Sequence, residues 1–148
     1  PVTRAQLAIL LLRAEHGSAF TPDAPTGTVF SDVPADAFGA AWIEALSGEG
    51  VTSGCGSGNF CPAAVITRAP LAVLLLKATD GSGFRPEAAS GTFGDVPASD
   101  PFAPWIEELF RRGWSSGCAP GSYCPALEVS RAQLAAFLTR AFSVPLPP

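Results

Sequence analysis

The sequence Thr-Arg-Ala-Gln at residues 3–6 opens an apolar stretch, and two closely related sequences open two more such stretches. The second copy is Thr-Arg-Ala-Pro at residues 67–70, and the third is Ser-Arg-Ala-Gln at residues 130–133. Successive copies are 64 and 63 residues apart. Self-similarity at a nearly constant period is typical of a chain built from one repeated structural unit. The repeat therefore favours a scaffold or binding module over a single asymmetric active site.

Further matches extend the repeat to most of the chain, and each pair is separated by 63 residues. The matching pairs are FSDVP at 30–34 with FGDVP at 93–97, WIE at 42–44 with 105–107, GC at 54–55 with 117–118, and FCP at 60–62 with YCP at 123–125. We therefore expect a single domain, 1–148, with a partial motif at 1–16, full motifs at 30–79 and 93–142, and connectors at 17–29 and 80–92.

The residues behind each Arg predict a buried helix. Apolar side chains follow at the i, i+3, i+4, i+7 spacing, as in Leu7, Leu10, Leu11 and Ala14, and further apolar residues occupy the other faces. A helix that is apolar nearly all round is a core helix, so three of them are expected to pack as a central bundle. The first and third copies also carry a capping box, whose reciprocal half is lost where Pro70 replaces Gln.

A second helix is predicted in each full motif, near 36–48 and 100–112. Its apolar face includes Phe38 in one copy and Phe102 in the other, and Asp100 is placed to act as an N-cap. Short extended pieces are expected at 30–33 and 93–96. Three core helices with only two covering helices predict an uncovered apolar surface along 7–12.

The four cysteines form two pairs, each with five residues between the partners: Cys55 with Cys61, and Cys118 with Cys124. Zinc knuckles use closer cysteines with further cysteine or histidine ligands, and the only histidine is His16. Two local disulfides are the better interpretation, which implies an oxidising compartment. We expect no metal site and no cofactor.

The composition excludes other classes of function. A net charge of −4 argues against binding to a nucleic-acid backbone, and no apolar run approaches the length of a membrane-spanning helix. One histidine and no aimed carboxylate pair leave little for hydrolysis, so we expect no enzyme. Because the sequence starts at Pro1 inside a repeat, we expect a processed product or a fragment.

The repeated unit F-x-D-V-P … W-I … G-C … F/Y-C-P … T/S-R-A-Q resembles the S-layer homology (SLH) motif. The resemblance implies a mainly α, pseudo-threefold helical domain with a central three-helix bundle and Gly/Pro-rich loops. It also implies a non-catalytic module on the bacterial cell surface, cell wall or S-layer. Such a module binds anionic, often pyruvylated, cell-wall polysaccharide and anchors proteins to the envelope.

The resemblance also implies which residues bind the glycan. In that family the motif Arg lies in grooves between motifs, and the Asp of F-x-D-V and the helix Trp border those grooves. The matching positions are Arg4, Arg68, Arg131, Asp32, Asp95, Trp42 and Trp105. The cysteine pairs, Pro70 and the missing first half-motif depart from the family pattern.

The same sites can be argued from the residues alone. Each Arg follows an N-cap, so it stands at the positive end of a helix, where a guanidinium can grip a carboxylate with two parallel hydrogen bonds. The alternatives are that each Arg pairs with a nearby Asp, such as Asp32 or Asp95, and that Trp42 and Trp105 pack in the core. A second function also stays open: a self-assembling subunit of a filament, sheath or S-layer, in which a neighbouring copy completes the first motif.

Overall fold

Five α-helices are the regular elements of the computed structural model, which describes residues 1–143. They are α1 (Arg4–His16), α2 (Ala40–Gly48), α3 (Arg68–Asp80), α4 (Ala103–Arg111) and α5 (Arg131–Phe142). Within residues 1–143 there are isolated β-bridges but no strand. The predicted mainly α class is confirmed. No helix in this part of the chain has both the length and the apolar character needed to cross a lipid bilayer.

The core is a bundle of α1, α3 and α5, each of which contacts the other two. Leu11 and Leu75 are completely buried in it, and Phe137 is buried beside them. The three segments that precede these helices are joined by a closed ring of backbone hydrogen bonds. Val2 N–H donates to Val129 O (2.9 Å), Ile66 N–H to Val2 O (2.9 Å), and Val129 N–H to Ile66 O (3.0 Å). The predicted central bundle is confirmed, and the ring holds the N-terminal ends of all three helices together.

Two of the three core helices have the predicted capping box. In α1 the Gln6 N–H donates to Thr3 Oγ1 (3.3 Å), and the Thr3 N–H donates to Gln6 Oε1 (3.1 Å). The same reciprocal pair is present at Ser130 in α5. In α3 the Thr67 side chain makes no capping hydrogen bond. Pro70 lacks the N–H that Thr67 would accept, so both halves of the box are lost rather than one.

The covering helices begin later than the sequence predicted. They start at Ala40 and Ala103, because the preceding residues form turns instead of the first helical turn. Asp100 accepts a hydrogen bond from the Phe102 N–H (2.8 Å) and so caps a turn, not the helix itself. Phe38 was assigned to the apolar helix face, but it lies in such a turn and is 69% exposed.

The segments expected to be extended, at 30–33 and 93–96, are also turns. Val33 N–H donates to Phe30 O (3.2 Å), and Val96 N–H donates to Phe93 O (3.1 Å). The prediction was wrong because the alternation of apolar and polar residues over four positions does not distinguish a short strand from a turn. Each turn places its Asp, Asp32 or Asp95, within hydrogen-bond distance of the backbone of the disulfide loop.

Each covering helix packs on the core helix that precedes it: α2 on α1, and α4 on α3. The expected uncovered surface along 7–12 is therefore mostly absent: Leu7, Leu11 and Leu12 are buried, and Leu10 is exposed, at 36%. Among the described residues, the helix without a covering partner is α5. Its exposed face carries the small side chains of Ala132, Ala135 and Ala136.

Both predicted disulfides, Cys55–Cys61 and Cys118–Cys124, are present. The connectors also pack against the helices: Phe20 lies edge-on to Trp42 (5.8 Å between ring centroids), and Phe84 lies edge-on to Trp105 (6.1 Å). The loops and connectors are thus held closely to the bundle.

Candidate functional site

Three grooves lie around the core helices, and each is built from the Arg of one core helix and a face of the next. Groove A lies between Arg4 and α3 and has a volume of about 440 Å³. Groove B lies between Arg68 and α5, with about 180 Å³. Groove C lies between Arg131 and α1, with about 200 Å³. The structure therefore places each predicted Arg in a groove of its own.

Groove A has two walls, of which each of the other grooves has only one. The loop at 51–55 and the ring of Phe102 complete it. Groove B has the matching loop, around Ser115, but no counterpart of Phe102 among its lining residues. Groove C has the matching aromatic ring, Phe38, but no counterpart of the loop. In groove A the loop follows one covering helix, α2, and the aromatic ring precedes the other, α4. The walls missing from grooves B and C are those that a covering helix on α5 would supply, and within the described residues α5 has no covering helix.

Arg4 is only partly satisfied by the protein. Its Nε–H donates to Phe60 O (2.7 Å), and its guanidinium lies over the Phe60 ring, 4.8 Å from the centroid. Its Nη2 is buried and has no hydrogen-bond partner among residues 1–143. Burial lowers the pKa of Arg4, and the nearby Asp32 opposes that effect. A partly buried guanidinium without a full set of partners can donate its unused hydrogen bonds to an anion.

Arg68 and Arg131 have different surroundings. Arg68 is buried; its Nε–H donates to Tyr123 O (2.9 Å) and its Nη2 to Ser115 Oγ (3.2 Å). It also lies over the Tyr123 ring, 4.5 Å from the centroid. Arg131 is exposed at the start of α5. Arg4 thus combines burial with an unused donor, whereas Arg68 is largely satisfied and Arg131 is open to solvent.

Asp32 and Asp95 face the backbone of the disulfide loops. Asp32 accepts hydrogen bonds from Phe60 N–H and Cys61 N–H, both at 2.7 Å. Asp95 accepts the matching pair from Tyr123 N–H (2.8 Å) and Cys124 N–H (2.7 Å). Desolvation acts to raise the pKa of each carboxyl, but these N–H groups outweigh it, so the pKa of both lies below the ordinary value. Neither carboxylate forms an ion pair within 4.0 Å of an Arg in the described residues.

Trp42 and Trp105 are half-buried and pack on the connectors. Arg13 lies over the Trp42 ring, 5.1 Å from its centroid. Neither Trp lines groove A, B or C. The structure therefore brings each predicted Arg to a groove and leaves the two Trp outside the grooves.

The sequence-based prediction missed other groove residues. Lys77 lines groove A and Arg140 lines groove B, while Phe102 and Phe38 form the aromatic walls. A signal for the basic pair was present, because a basic residue stands nine positions after each motif Arg, as Arg13, Lys77 and Arg140. The sequence predicts Phe38 and Phe102 on the apolar face of the covering helices, whereas the structure places both at the grooves.

The grooves differ from the rest of the chain in charge. Five of the nine Lys and Arg residues line them, and none of the thirteen Asp and Glu residues does. These basic residues are Arg4, Arg68, Lys77, Arg131 and Arg140. A protein with a net charge of −4 thus presents three purely basic grooves. An anionic ligand fits them best.

Residues 29–69 match the family model of the S-layer homology domain. The resemblance seen in the sequence is thereby confirmed for this stretch, while the number of SLH motifs stays a prediction. The matched stretch contains Asp32, Trp42, the first disulfide and Arg68. No curated protein matches the chain at a significant level.

The SLH match carries a general function. SLH domains are non-catalytic modules that generally anchor proteins to the cell surface by binding cell-wall polysaccharide. The two disulfides fit an extracellular location.

Proposed function

We propose that the protein anchors to the bacterial envelope by binding an anionic, pyruvylated cell-wall polysaccharide, with groove A as the main site. The observation that carries this proposal is the charge of the three grooves, which contain five basic and no acidic side chains. The net charge of −4 repels anions over the molecule as a whole, so an anionic ligand would have to be bound at local basic sites.

Groove A offers each contact that a charged sugar requires. The guanidinium of Arg4, whose donors the described residues do not all use, and the ammonium of Lys77 can bind the carboxylate of a pyruvyl group. The hydroxyls of Thr52 and Ser53 line the same groove and can exchange hydrogen bonds with sugar hydroxyls. The ring of Phe102 provides an apolar face for the flat side of a sugar ring.

Grooves B and C add weaker contacts on the same polymer. Each offers a motif Arg but lacks one wall of groove A. Several weak sites on one chain bind a repeating polymer more tightly than any one of them alone. We expect the three Arg residues to act together on a polysaccharide with regularly spaced carboxylates.

The other predicted glycan-binding residues have narrower roles in this proposal. Asp32 and Asp95 hold the loops that carry the groove walls, through their hydrogen bonds to loop N–H groups. Trp42 and Trp105 lie outside the grooves and would contact only a polymer that continues beyond them.

Sedimentation with purified cell-wall sacculi tests the proposal. We expect the protein to pellet with sacculi, and Arg4→Gln to weaken retention about tenfold, because a charge-assisted hydrogen bond contributes about 1.5–3 kcal/mol. Arg85→Gln is the matched control, since Arg85 is exposed and bonds only to carbonyls of its own connector. Chemical removal of the pyruvyl groups should weaken retention to a similar degree. If Arg4→Gln and the Arg4/Arg68/Arg131 triple Gln variant were both retained as well as the unaltered protein, the grooves would not bind the glycan.

Self-assembly is the second candidate function, and the uncovered face of α5 favours it. The matching residues of α1 and α3, among them Ala5 and Ala69, are buried, while Ala132 and Ala135 of α5 are exposed. A second copy that covers this face would form a head-to-tail contact, which closes into a ring or grows into a filament. Light scattering over a range of protein concentrations, with electron microscopy, tests this candidate. Growth in mass that Ala135→Glu abolishes and the exposed control Ala98→Glu does not would support it, and a concentration-independent monomer would exclude it.

A further inference from the structure

The C-terminal ends of α1 and α2 meet in a corner that contains Glu15, His16 and Glu49. His16 Nε2 lies 2.8 Å from a carboxylate oxygen of Glu49 and 3.9 Å from one of Glu15. One nitrogen and one carboxylate oxygen from each Glu lie within 4.8 Å of one another. The His16 ring also packs on Phe20, with 4.5 Å between the ring centroids. Three groups of the kind that bind metal ions are thus held together by two helix ends and a connector.

Apart from His16, no basic side chain forms an ion pair with the two carboxylates of this corner in the described residues. One carboxylate oxygen of Glu15 and one of Glu49 are buried and have no hydrogen-bond partner among the described residues. Burial raises the pKa of Glu15, the charge of Glu49 raises it further, and His16 opposes both. Arg13, on the same helix, lies over Trp42 and forms no ion pair with either carboxylate in the described structure.

The second unit of the repeat shows how the same corner is balanced elsewhere in the chain. The positions of Glu15, His16 and Glu49 correspond to Thr79, Asp80 and Arg112. Arg112 bonds to Asp80 through Nη1 (2.7 Å) and Nη2 (3.1 Å), between the ends of α3 and α4. In the second unit, a cationic side chain thus joins the two helix ends. In the first unit, Glu49 replaces that cation and Glu15 adds a further carboxylate.

We propose that Glu15, His16 and Glu49 bind a divalent transition-metal cation of the Zn²⁺ type, which joins α1 to α2 as Arg112 joins α3 to α4. An imidazole nitrogen with two carboxylate oxygens is a donor set that suits Zn²⁺ better than Ca²⁺ or Mg²⁺, which prefer oxygen alone. The C-terminal ends of two helices add negative potential at the same point. The site is separate from grooves A, B and C, so it does not depend on the proposed glycan binding.

The geometry requires only a small adjustment. Ligand atoms at about 2.0–2.2 Å from a tetrahedral Zn²⁺ lie about 3.3 Å from one another. The His16–Glu49 contact would therefore lengthen slightly and the Glu15 carboxylate would move inward. The side chains of His16 and Glu49 are each about one-third exposed, at 34% and 32%, so they have room for this movement. The sequence analysis predicted no metal site, because Glu49 is far from His16 in sequence and only the fold brings them together.

The single histidine makes a direct test possible. The intact chain, with its disulfides, would be titrated with ZnCl₂ at pH 7 in a calorimeter, and the imidazole signals would be followed by NMR. We expect one Zn²⁺ per chain, with shifts of the His16 ring signals that saturate at the same ratio. At a hundredfold excess of Zn²⁺ over its Kd, the midpoint of thermal unfolding should rise by roughly 5–10 °C.

The second unit supplies the matched variant. The triple change Glu15→Thr, His16→Asp, Glu49→Arg transplants the Thr79–Asp80–Arg112 arrangement, which the chain already accommodates in its second unit. We expect this variant to fold without Zn²⁺ and to lose the saturable binding. Glu15→Gln, a smaller change that keeps the corner's shape, should weaken binding at least tenfold, and Glu128→Gln, at an exposed position, should not.

Two results would overturn the proposal. One is Zn²⁺ binding that leaves the His16 ring signals unchanged, since the cation would then lie elsewhere. The other is the absence of 1:1 binding at Zn²⁺ concentrations up to about 1 mM, which is on the order of the Kd of the weakest metal sites in proteins. Undiminished Zn²⁺ binding by the triple variant would likewise show that the cation lies elsewhere.

Discussion

Glu107 holds the second connector to α4, and its replacement should lower stability in a way that depends on pH. Its carboxylate accepts four hydrogen bonds from consecutive connector residues: Ser90 N–H (2.8 Å), Ser90 Oγ–H (3.0 Å), Gly91 N–H (2.8 Å) and Thr92 N–H (2.9 Å). The residue is only 9% exposed. The change Glu107→Gln keeps the shape but removes the charge and one of the two accepting oxygens.

The expected magnitude follows from the pKa of Glu107. Burial acts to raise this pKa, but the hydrogen bonds from the connector outweigh it and lower the pKa from 4.5 to about 2. A shift of this size corresponds to roughly 3 kcal/mol of stability at neutral pH, at about 1.4 kcal/mol per unit. Screening by solvent near the surface reduces the expected value to about 2 kcal/mol.

The sign of the pH dependence is determined by the direction of the shift. Because the pKa of Glu107 is lower in the folded protein than in the unfolded chain, its contribution is complete above about pH 5. The contribution is lost as the pH falls from there through 2. The unaltered protein should therefore lose stability over this range, and Glu107→Gln should lose less, having already lost about 2 kcal/mol at pH 7.

Urea unfolding at a series of pH values from 7 to 2.5 measures both effects. Glu128→Gln is the control, because Glu128 is exposed and its side chain forms no hydrogen bond or ion pair within residues 1–143. If Glu107→Gln and Glu128→Gln have the same free energy of unfolding at pH 7 and the same acid dependence, the connector is not held by this carboxylate. The reasoning from its four hydrogen bonds would then be refuted.

Three further predictions concern caps, core and disulfides. Thr3→Ala should lower the free energy of unfolding by about 1 kcal/mol and Thr67→Ala by clearly less, because of these two threonines only Thr3 caps a helix N–H. Chemical denaturation measures both losses, and equal losses would contradict this prediction. Tyr123→Phe should lower the free energy of unfolding by about 1 kcal/mol or less in the same assay. Phe60 occupies the matching position in the first motif, and only the hydrogen bond from the Tyr123 hydroxyl to Arg68 O is lost. A decrease above roughly 3 kcal/mol would contradict this prediction. Replacing either cysteine pair by Ser should cost about 2 kcal/mol, as expected for closing so short a loop; alkylation of any cysteine in the unaltered protein without reductant would show that the disulfides are absent.

Much of the fold could be read from the repeat because it depends on local chemistry. The apolar spacing after residues 4, 68 and 131 predicted the three core helices, and the cysteine spacing predicted both disulfides. Glycine at positions 50 and 113 has the positive φ that a helix stop requires, at +71° in both cases. These features depend on residues a few positions apart, so the sequence alone indicates them.

The starts of α2 and α4 were less predictable. The sequence pattern is the same whether an aromatic residue such as Phe38 lies on the apolar face of the helix or in the turn before it, where it forms a groove wall. In the structure, Gly39 stands as the N-cap of α2 at a φ of +77°, a left-handed conformation that glycine adopts readily. Phe38 therefore lies outside α2, and its place as a groove wall beside Arg131 comes from the packing of segments that are far apart in the sequence.

By itself, the sequence determined the repeat, the identity of the core helices, the disulfides and the Arg at each helix start. Only the tertiary structure decided which helix covers which, so that α5 and not α1 is left without a cover among the described residues. It also decided that Asp32 bonds to a loop backbone instead of Arg4, and that Lys77 joins Arg4 in one groove. The physical reason is that helix hydrogen bonds and helix spacing act over a few residues. Groove walls come from segments far apart in the sequence, such as Arg4 and Phe102 in groove A, which meet only when the chain packs.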